Sequence, residues 1–222
     1  NKLLKGFIGS SHLDTNSRLC MASTVAGHKR AFGEDVVPGC YEDLELADLV
    51  VLVGSNLAWA HPVLFQRLQA AREKYPAKKI VVIDPRRTAT ANSADLFLPL
   101  KPGTDVALFS GLLSYLAKAG YIDHAFTRQH CQGLQQALDT ASCWQDLSQL
   151  AAYCDLSLVE LTEFFQWFAK CPRTVTVVSP PDRNSWVMGT TVLPLAITAP
   201  PLARKASRLR RPVSPSARSS GR

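Results

Sequence analysis

Two continuous apolar runs organise the first half of the chain, Asp48-Leu49-Val50-Val51-Leu52-Val53 and Lys79-Ile80-Val81-Val82-Ile83-Asp84. Between them, apolar residues recur at helical spacing at Val63, Leu64, Leu68 and Ala71. An unbroken run of this kind suits a strand covered on both faces, whereas a half-wet strand would alternate. Gly54-Ser55-Asn56 closes the first run and Pro85 breaks the second. The order strand, turn, helix (61–75), strand predicts a βαβ unit with a right-handed crossover and parallel strands. Ala94–Leu100 predicts a third short strand and Thr174–Val178 a last one that rejoins the sheet. Further helices are predicted over 17–32, capped by Asn16 or Ser17 and ended by Gly33, and in a short acidic segment from Glu42. Asp105–Ala119 predicts a strongly apolar helix, and 122–131, 133–150 and 157–170 form an amphipathic series. The expectation is an α/β fold: a doubly wound, mostly parallel, Rossmann-like sheet over residues 1–179, with a helical insertion at 120–170.

The pattern stops at Pro180, beyond which Pro-, Arg- and Ser-rich sequence runs without period. Residues 180–222 read as a disordered tail. Its charge distorts the balance of the whole chain. Of the 222 residues, 25 are basic and 18 acidic, but Arg204, Lys205, Arg208, Arg210, Arg211, Arg218 and Arg222 all fall in the last 22 positions, where there are no acids. Without them, 18 basic residues face 18 acidic ones, so the pI near 9.2 gives no reason to expect nucleic acid as a partner of the folded part. Mean hydropathy is near zero, and no apolar run approaches the roughly 18–20 residues needed to span a membrane. No membrane partner is expected. Asn1-Lys2-Leu3-Leu4-Lys5 has neither an initiator Met nor a signal-peptide pattern, which suggests an N-terminus lying upstream. Six cysteines (20, 40, 131, 143, 154 and 171) include no CxxC pair, so zinc ribbons, iron–sulfur ligand runs and disulfide scaffolds are poor fits. Most of these thiols read as buried small hydrophobes of a reduced, cytosolic protein.

Four segments carry residues suited to chemistry. Asn16-Ser17-Arg18-Leu19-Cys20-Met21 sets a thiol in the first turn of a predicted helix, where the helix dipole favours a thiolate, a soft metal ligand. An inert buried cysteine is the other reading. Val53-Gly54-Ser55-Asn56-Leu57-Ala58-Trp59-Ala60-His61-Pro62 ends a strand in a tight polar turn whose N–H groups, with Ser55 and Asn56, can hold a pyrophosphate. It can equally be a plain strand-to-helix turn capped by Asn56. It is not GxGxxG, so ordinary NAD binding fits poorly. His61 reads as the start of a helix with a structural hydrogen bond. Asp84-Pro85-Arg86-Arg87-Thr88 places a carboxylate where a ribose hydroxyl would be met, beside two arginines able to pair with phosphates, or else is a solvated basic turn. Lys101-Pro102-Gly103-Thr104-Asp105 offers a carboxylate that is either an N-cap or an acceptor for the two N–H donors of a guanine edge. Glu34-Asp35 and Glu42-Asp43 read as helix-end charges. Trp144, Phe164, Phe165 and Trp167 read as core.

Taken together these segments resemble the catalytic subunit of assimilatory nitrate reductases, molybdopterin oxidoreductases of the dimethyl sulfoxide reductase superfamily. The likeness runs over about 1–179, is densest at 7–115 and makes the chain look like an internal fragment. The resemblance implies a molybdenum-bis(molybdopterin guanine dinucleotide) cofactor and reduction of nitrate to nitrite by oxygen-atom transfer. It implies that Cys20 binds molybdenum and is the catalytic residue, that Asn16 touches the pterin, and that Val53, Gly54, Ser55, Asn56, Asp84, Arg86, Arg87, Gly103, Thr104 and Asp105 bind one nucleotide arm. It further implies a 4Fe–4S cluster in the full-length protein, with no ligands for it here. An electron-donor protein or reductase domain would be the partner, nitrate the substrate and the cytoplasm the compartment. Met21 after Cys20 favours nitrate over formate, since related formate dehydrogenases usually carry His there. A formate dehydrogenase fragment and a non-catalytic nucleotide-binding remnant are the alternatives. Past residue 180 only Asn184-Ser185 and Met188-Gly189-Thr190 bear a faint likeness to the family's next segment, which suggests an out-of-frame tail. The isolated chain is expected to be inactive and to bind cofactor weakly or not at all.

Overall fold

A computed structural model of the protein describes residues 1–13, 22–34 and 39–178. The predicted run at 48–53 forms β1 (Leu49–Val53), the second forms β2 (Lys79–Ile83), and β3 (Leu96–Leu98) and β4 (Thr174–Val178) complete one sheet of order β3-β2-β1-β4. All three pairings are parallel. Leu49 to Val53 pair with Lys79 to Ile83 on one side and with Thr174 to Val178 on the other, and Val81 to Ile83 pair with Leu96 to Leu98.

The continuous apolar character of β1 and β2 has the expected cause. Leu49, Val51, Val53, Val81 and Ile83 point into one core, and Val50, Leu52, Ile80 and Val82 into another. The helices are α1 (Ala22–Phe32), α2 (Tyr41–Leu46), α3 (Leu57–Ala60), α4 (Pro62–Lys74), α5 (Asp105–Lys118), α6 (His124–His130), α7 (Leu134–Ala141), α8 (Leu147–Cys154) and α9 (Leu158–Lys170). The first core is closed by α5, α8 and α9 through Leu108, Leu112, Leu150, Phe164 and Phe165, with Trp144 and Trp167 packed at its margin. The second is closed by Leu44, Leu57 and Leu68 from α2, α3 and α4. The result is a three-layer α/β/α arrangement. At about 1.5–3 kcal/mol for each fully buried aliphatic or Phe side chain, these two layers are its main source of stability.

Polar devices fix the ends of the elements. Asp48 and Arg173 join the starts of β1 and β4 by a two-pronged ion pair, Nε to Oδ2 at 2.9 Å and Nη2 to Oδ1 at 2.5 Å. The guanidinium holds the Asp48 carboxyl below its ordinary range. Buried Lys78 donates to the carbonyls of Leu44 and Ala47 at the end of α2, and burial lowers its pKa. Asp43 accepts the Cys40 N–H at 2.8 Å, so the acidic pair there does cap a helix.

Two expectations, the single helix over 133–150 and the burial of most thiols, need correction, and two others fall partly or wholly outside the described residues. The helix expected over 133–150 is two helices, because Asp146 accepts the N–H groups of Ser148 and Gln149 and starts a new one. The helix expected over 17–32 is described from Ala22 only. Of the five described cysteines only Cys154 is buried; Cys40 and Cys143 are exposed and Cys131 and Cys171 half-buried. Cys154 joins the first core and Cys171 packs at its margin, whereas Cys40 and Cys143 lie on faces the layers leave open. Residues 179–222, including the expected tail, lie outside the described residues. Among the described residues, no helix is long and apolar enough to cross a membrane.

Helices α5 and α8 pack together at Gly111, where an added Cβ would overlap Cδ2 of the fully buried Leu150. Gly111→Val is therefore expected to cost about 2 kcal/mol through overpacking, read as a lower urea midpoint at unchanged m-value. An unchanged midpoint would show that the two helices do not meet there.

Candidate functional site

Parallel pairing sends the carboxyl ends of all four strands to one edge, and three of the four candidate segments leave from it. The order β3-β2-β1-β4 makes the gap between β1 and β4 the point where successive connections depart in opposite directions, the usual binding crevice of an open α/β sheet. The turn Gly54-Ser55-Asn56 stands at that point.

Gly54 has φ 56°, a left-handed conformation that lets the chain turn directly off β1. Its N–H is spent on Ile83 O at 2.8 Å, and the N–H of Ala58 on Thr90 Oγ1 at 3.0 Å. Ser55 is buried and its Oγ has no partner. Asn56 is half-buried and its Oδ1 accepts the Thr90 hydroxyl at 3.1 Å. Val53 turns its side chain into the core, so any contact it makes with a ligand is through its backbone. His61 begins α4 as expected, but its exposed side chain does not cap the helix.

After β2, Asp84 is 4% exposed and its Oδ1 accepts the Arg86 N–H at 2.8 Å. Burial raises its pKa, and the Arg86 N–H and guanidinium oppose the rise. Arg86 and Arg87 are exposed, with the Arg87 guanidinium 5.3 Å from the centre of the Phe97 ring. Thr88 Oγ1 is a second buried atom without a partner. After β3, Gly103 has φ 81° and open space around it. Thr104, not Asp105, is the N-cap of α5, and its hydroxyl donates to Lys101 O at 2.7 Å. Asp105 is the first helical residue, 1% exposed, and its Oδ2 has no partner. Burial pushes its pKa up against the lowering effect of nearby backbone N–H groups. The loop is clamped from behind by α8: Lys101 donates its N–H to Cys154 O at 3.1 Å, and Cys154 Sγ lies 3.8 Å from Thr104 O.

Among the described residues five buried side-chain atoms lack a partner, and three of them (Ser55 Oγ, Thr88 Oγ1 and Asp105 Oδ2) follow the carboxyl ends of three adjacent strands. The other two belong to Gln69 in α4 and Thr176 in β4. Two hydroxyls and a carboxylate on a dry edge form a donor and acceptor set suited to a phosphorylated nucleotide. Thr88 lay inside the Asp84–Thr88 segment but was given no role, and Thr90 lay beyond it; hydroxyls spaced by two in the turn after β2 were the available signal. Asn16 and Cys20 lie outside the described residues.

A three-layer parallel α/β sheet with a polar carboxyl edge is a doubly wound fold, whose ligands usually lie at that edge. The molybdopterin oxidoreductase family model matches residues 1–190, and the chain belongs to that family. It is similar to a nitrate reductase of Klebsiella oxytoca, 52% identical over 177 residues, which is 80% of this chain and 20% of the relative. A nitrate reductase of Shewanella frigidimarina is 51% identical over 177 residues, 79% of this chain and 19% of that protein. The chain thus spans about a fifth of the length of these curated relatives. Among solved structures, acetylene hydratase from Pelobacter acetylenicus matches with TM-score 0.62 and 26% identity over 73% of this chain and 22% of its own.

The raised pKa of Asp105 has a consequence for stability. A carboxyl whose folded pKa lies above its ordinary value of 3.8 penalises the fold once it ionises, and the penalty disappears as pH falls below that value. Asp105→Asn should therefore raise the melting temperature at pH 7 relative to wild type, with the gain shrinking toward pH 4. A gain independent of pH would show that the carboxylate is not desolvated.

Proposed function

We propose that this chain is the part of a molybdenum-dependent nitrate reductase that holds one guanylate arm of a molybdopterin guanine dinucleotide cofactor. The observation that carries this reading is the set of partnerless buried atoms on Ser55, Thr88 and Asp105 along one strand edge. A buried polar group left unsatisfied costs about 1–3 kcal/mol, and a bound ligand that satisfies all three offsets that cost. The family membership and the nitrate reductases of similar sequence support the choice of ligand and reaction.

In this reading Ser55 and the Asn56 amide donate to the pyrophosphate, and exposed Arg86 and Arg87 balance its charge. Asp84 accepts a ribose hydroxyl and Asp105 accepts the two N–H donors of guanine. Gly103 and Thr104 shape the loop that presents Asp105. Binding requires the Asp105 carboxylate, so guanine donors lower its raised pKa again. Asn16 and Cys20 are assigned on the resemblance alone, Asn16 to the pterin and Cys20 as the thiolate anchor of molybdenum. When bound, the molybdenum–pterin group supplies the oxygen-atom transfer that turns nitrate into nitrite, while the protein orients it. Electrons come from a donor protein or reductase domain through a 4Fe–4S cluster outside these residues. The likeness of the motifs to the assimilatory enzymes supports a cytoplasmic place of action.

The experiment uses the full-length polypeptide that carries this chain. Acid treatment should release guanylate together with molybdenum, and the protein should reduce nitrate with reduced viologen as donor. Cys20→Ala should abolish that reduction, and Asp105→Ala should lower guanylate content by at least about tenfold. Release of adenylate, or an undiminished guanylate content in Asp105→Ala, contradicts the reading.

A further inference from the structure

Thr90 lies beyond the motif that ends at Thr88, and the reading above gives it no role. It is 0% exposed. Its Oγ1 accepts the N–H of Ala58 at 3.0 Å, and its hydroxyl donates to Asn56 Oδ1 at 3.1 Å, so it joins the turn after β2 to the turn after β1. The direction of the second bond follows from proton counting. A threonine hydroxyl has one proton, and the Ala58 N–H already occupies one of its lone pairs. If Asn56 turned its NH2 group to Thr90, the hydroxyl proton would be buried with no acceptor, the more expensive outcome. Asn56 therefore keeps its carbonyl oxygen on Thr90 and faces both N–H donors away from it. No hydrogen bond from that NH2 group forms among the described residues.

The lock is itself anchored. Ser93 Oγ donates to Thr90 O at 3.0 Å, and Arg72 donates to Ser93 O and, at 2.6 Å, to Asp95 Oδ1. Asp95 Oδ2 accepts the N–H of Ile80, the second residue of β2, at 2.8 Å. A chain of bonds thus ties the Thr90 turn back to the sheet.

We infer that Thr90 is a positioning residue that locks the Asn56 amide with its two donors outward, so that the crest of β1 accepts phosphate oxygens of a nucleotide diphosphate and rejects a donor group. An unrestrained asparagine can offer either its donor or its acceptor side; this one offers only donors. The inference rests on the nucleotide reading of the site and adds to it the selectivity of one position and its cause.

The test uses the 15N-labelled 222-residue chain with GDP as the probe, followed by NMR titration. Thr90→Val keeps the shape of the side chain and removes the hydroxyl. It should shift the Asn56 side-chain amide pair in the ligand-free chain, speed exchange of the Ala58 amide, and weaken GDP about threefold to tenfold. Thr90→Ser should restore all three. Asn56→Ala should weaken GDP by a similar factor, and adding Thr90→Val to Asn56→Ala should cost nothing more. Should Thr90→Val fail to fold, Thr90→Ala against Thr90→Ser makes the same comparison. If Asn56→Ala weakens GDP while Thr90→Val leaves affinity and the Asn56 resonances unchanged, the lock is refuted and the nucleotide reading stands. A double variant weaker than Asn56→Ala by the full Thr90→Val factor also refutes it, since Thr90 would then act through the fold. No binding of GDP to the wild type at about 10 mM refutes the inference, whereas the nucleotide reading falls only if the full-length polypeptide also releases no guanylate.

Discussion

The enclosure of β1 on both faces and along both edges is the constraint on which the rest depends. Leu49 to Val53 are at most 4% exposed, and their backbone is paired with β2 on one side and β4 on the other. Sliding the strand by one residue would exchange the two sets of side chains between cores of different shape, so the register is fixed. Fixed parallel register, in turn, sends every strand's carboxyl end to one edge and sets Gly54-Ser55-Asn56 at the switch point between β1 and β4. The site is a consequence of the packing beneath it.

What the packing delivers there is dryness together with unspent polarity. Asp84 and Asp105 are both nearly inaccessible, and burial raises the pKa of both. Ser55, Thr88 and Asp105 keep atoms without partners, while Thr90 and Thr104 spend theirs on holding neighbouring turns. In the proposed reading the free groups meet a ligand and the spent ones set the geometry. The helical insertion shares in the second task, since Cys154 at the end of α8 takes the N–H of Lys101 in the loop that presents Asp105.

The strands and most helices were legible in the sequence because their signal is local: continuous apolar runs for β1 and β2, a helical period for α4 and α5. The break in 133–150 was legible in principle, as Asp146 is an ordinary capping residue, but the apolar period runs across it and hid the boundary. The exposure of Cys40 and Cys143 was not, because it depends on which face the tertiary layers leave open. Within the site, Ser55, Asn56, Asp84 and Asp105 stood out as turn residues after strands. Thr88 and Thr90 did not, because what sets them apart is burial and, for Thr90, bonds to Asn56 and Ala58 across more than thirty residues, which no periodicity records.

The most direct measurement is a crystal structure of the full-length polypeptide that carries this chain, with its nucleotide bound. The account predicts guanine with its N1 and N2 on the Asp105 carboxylate, the ribose near Asp84 and the phosphates over Ser55 and Asn56. Nucleotide bound at the amino-terminal edge of the sheet, or at the carboxyl edge with the base away from Asp105, would contradict it.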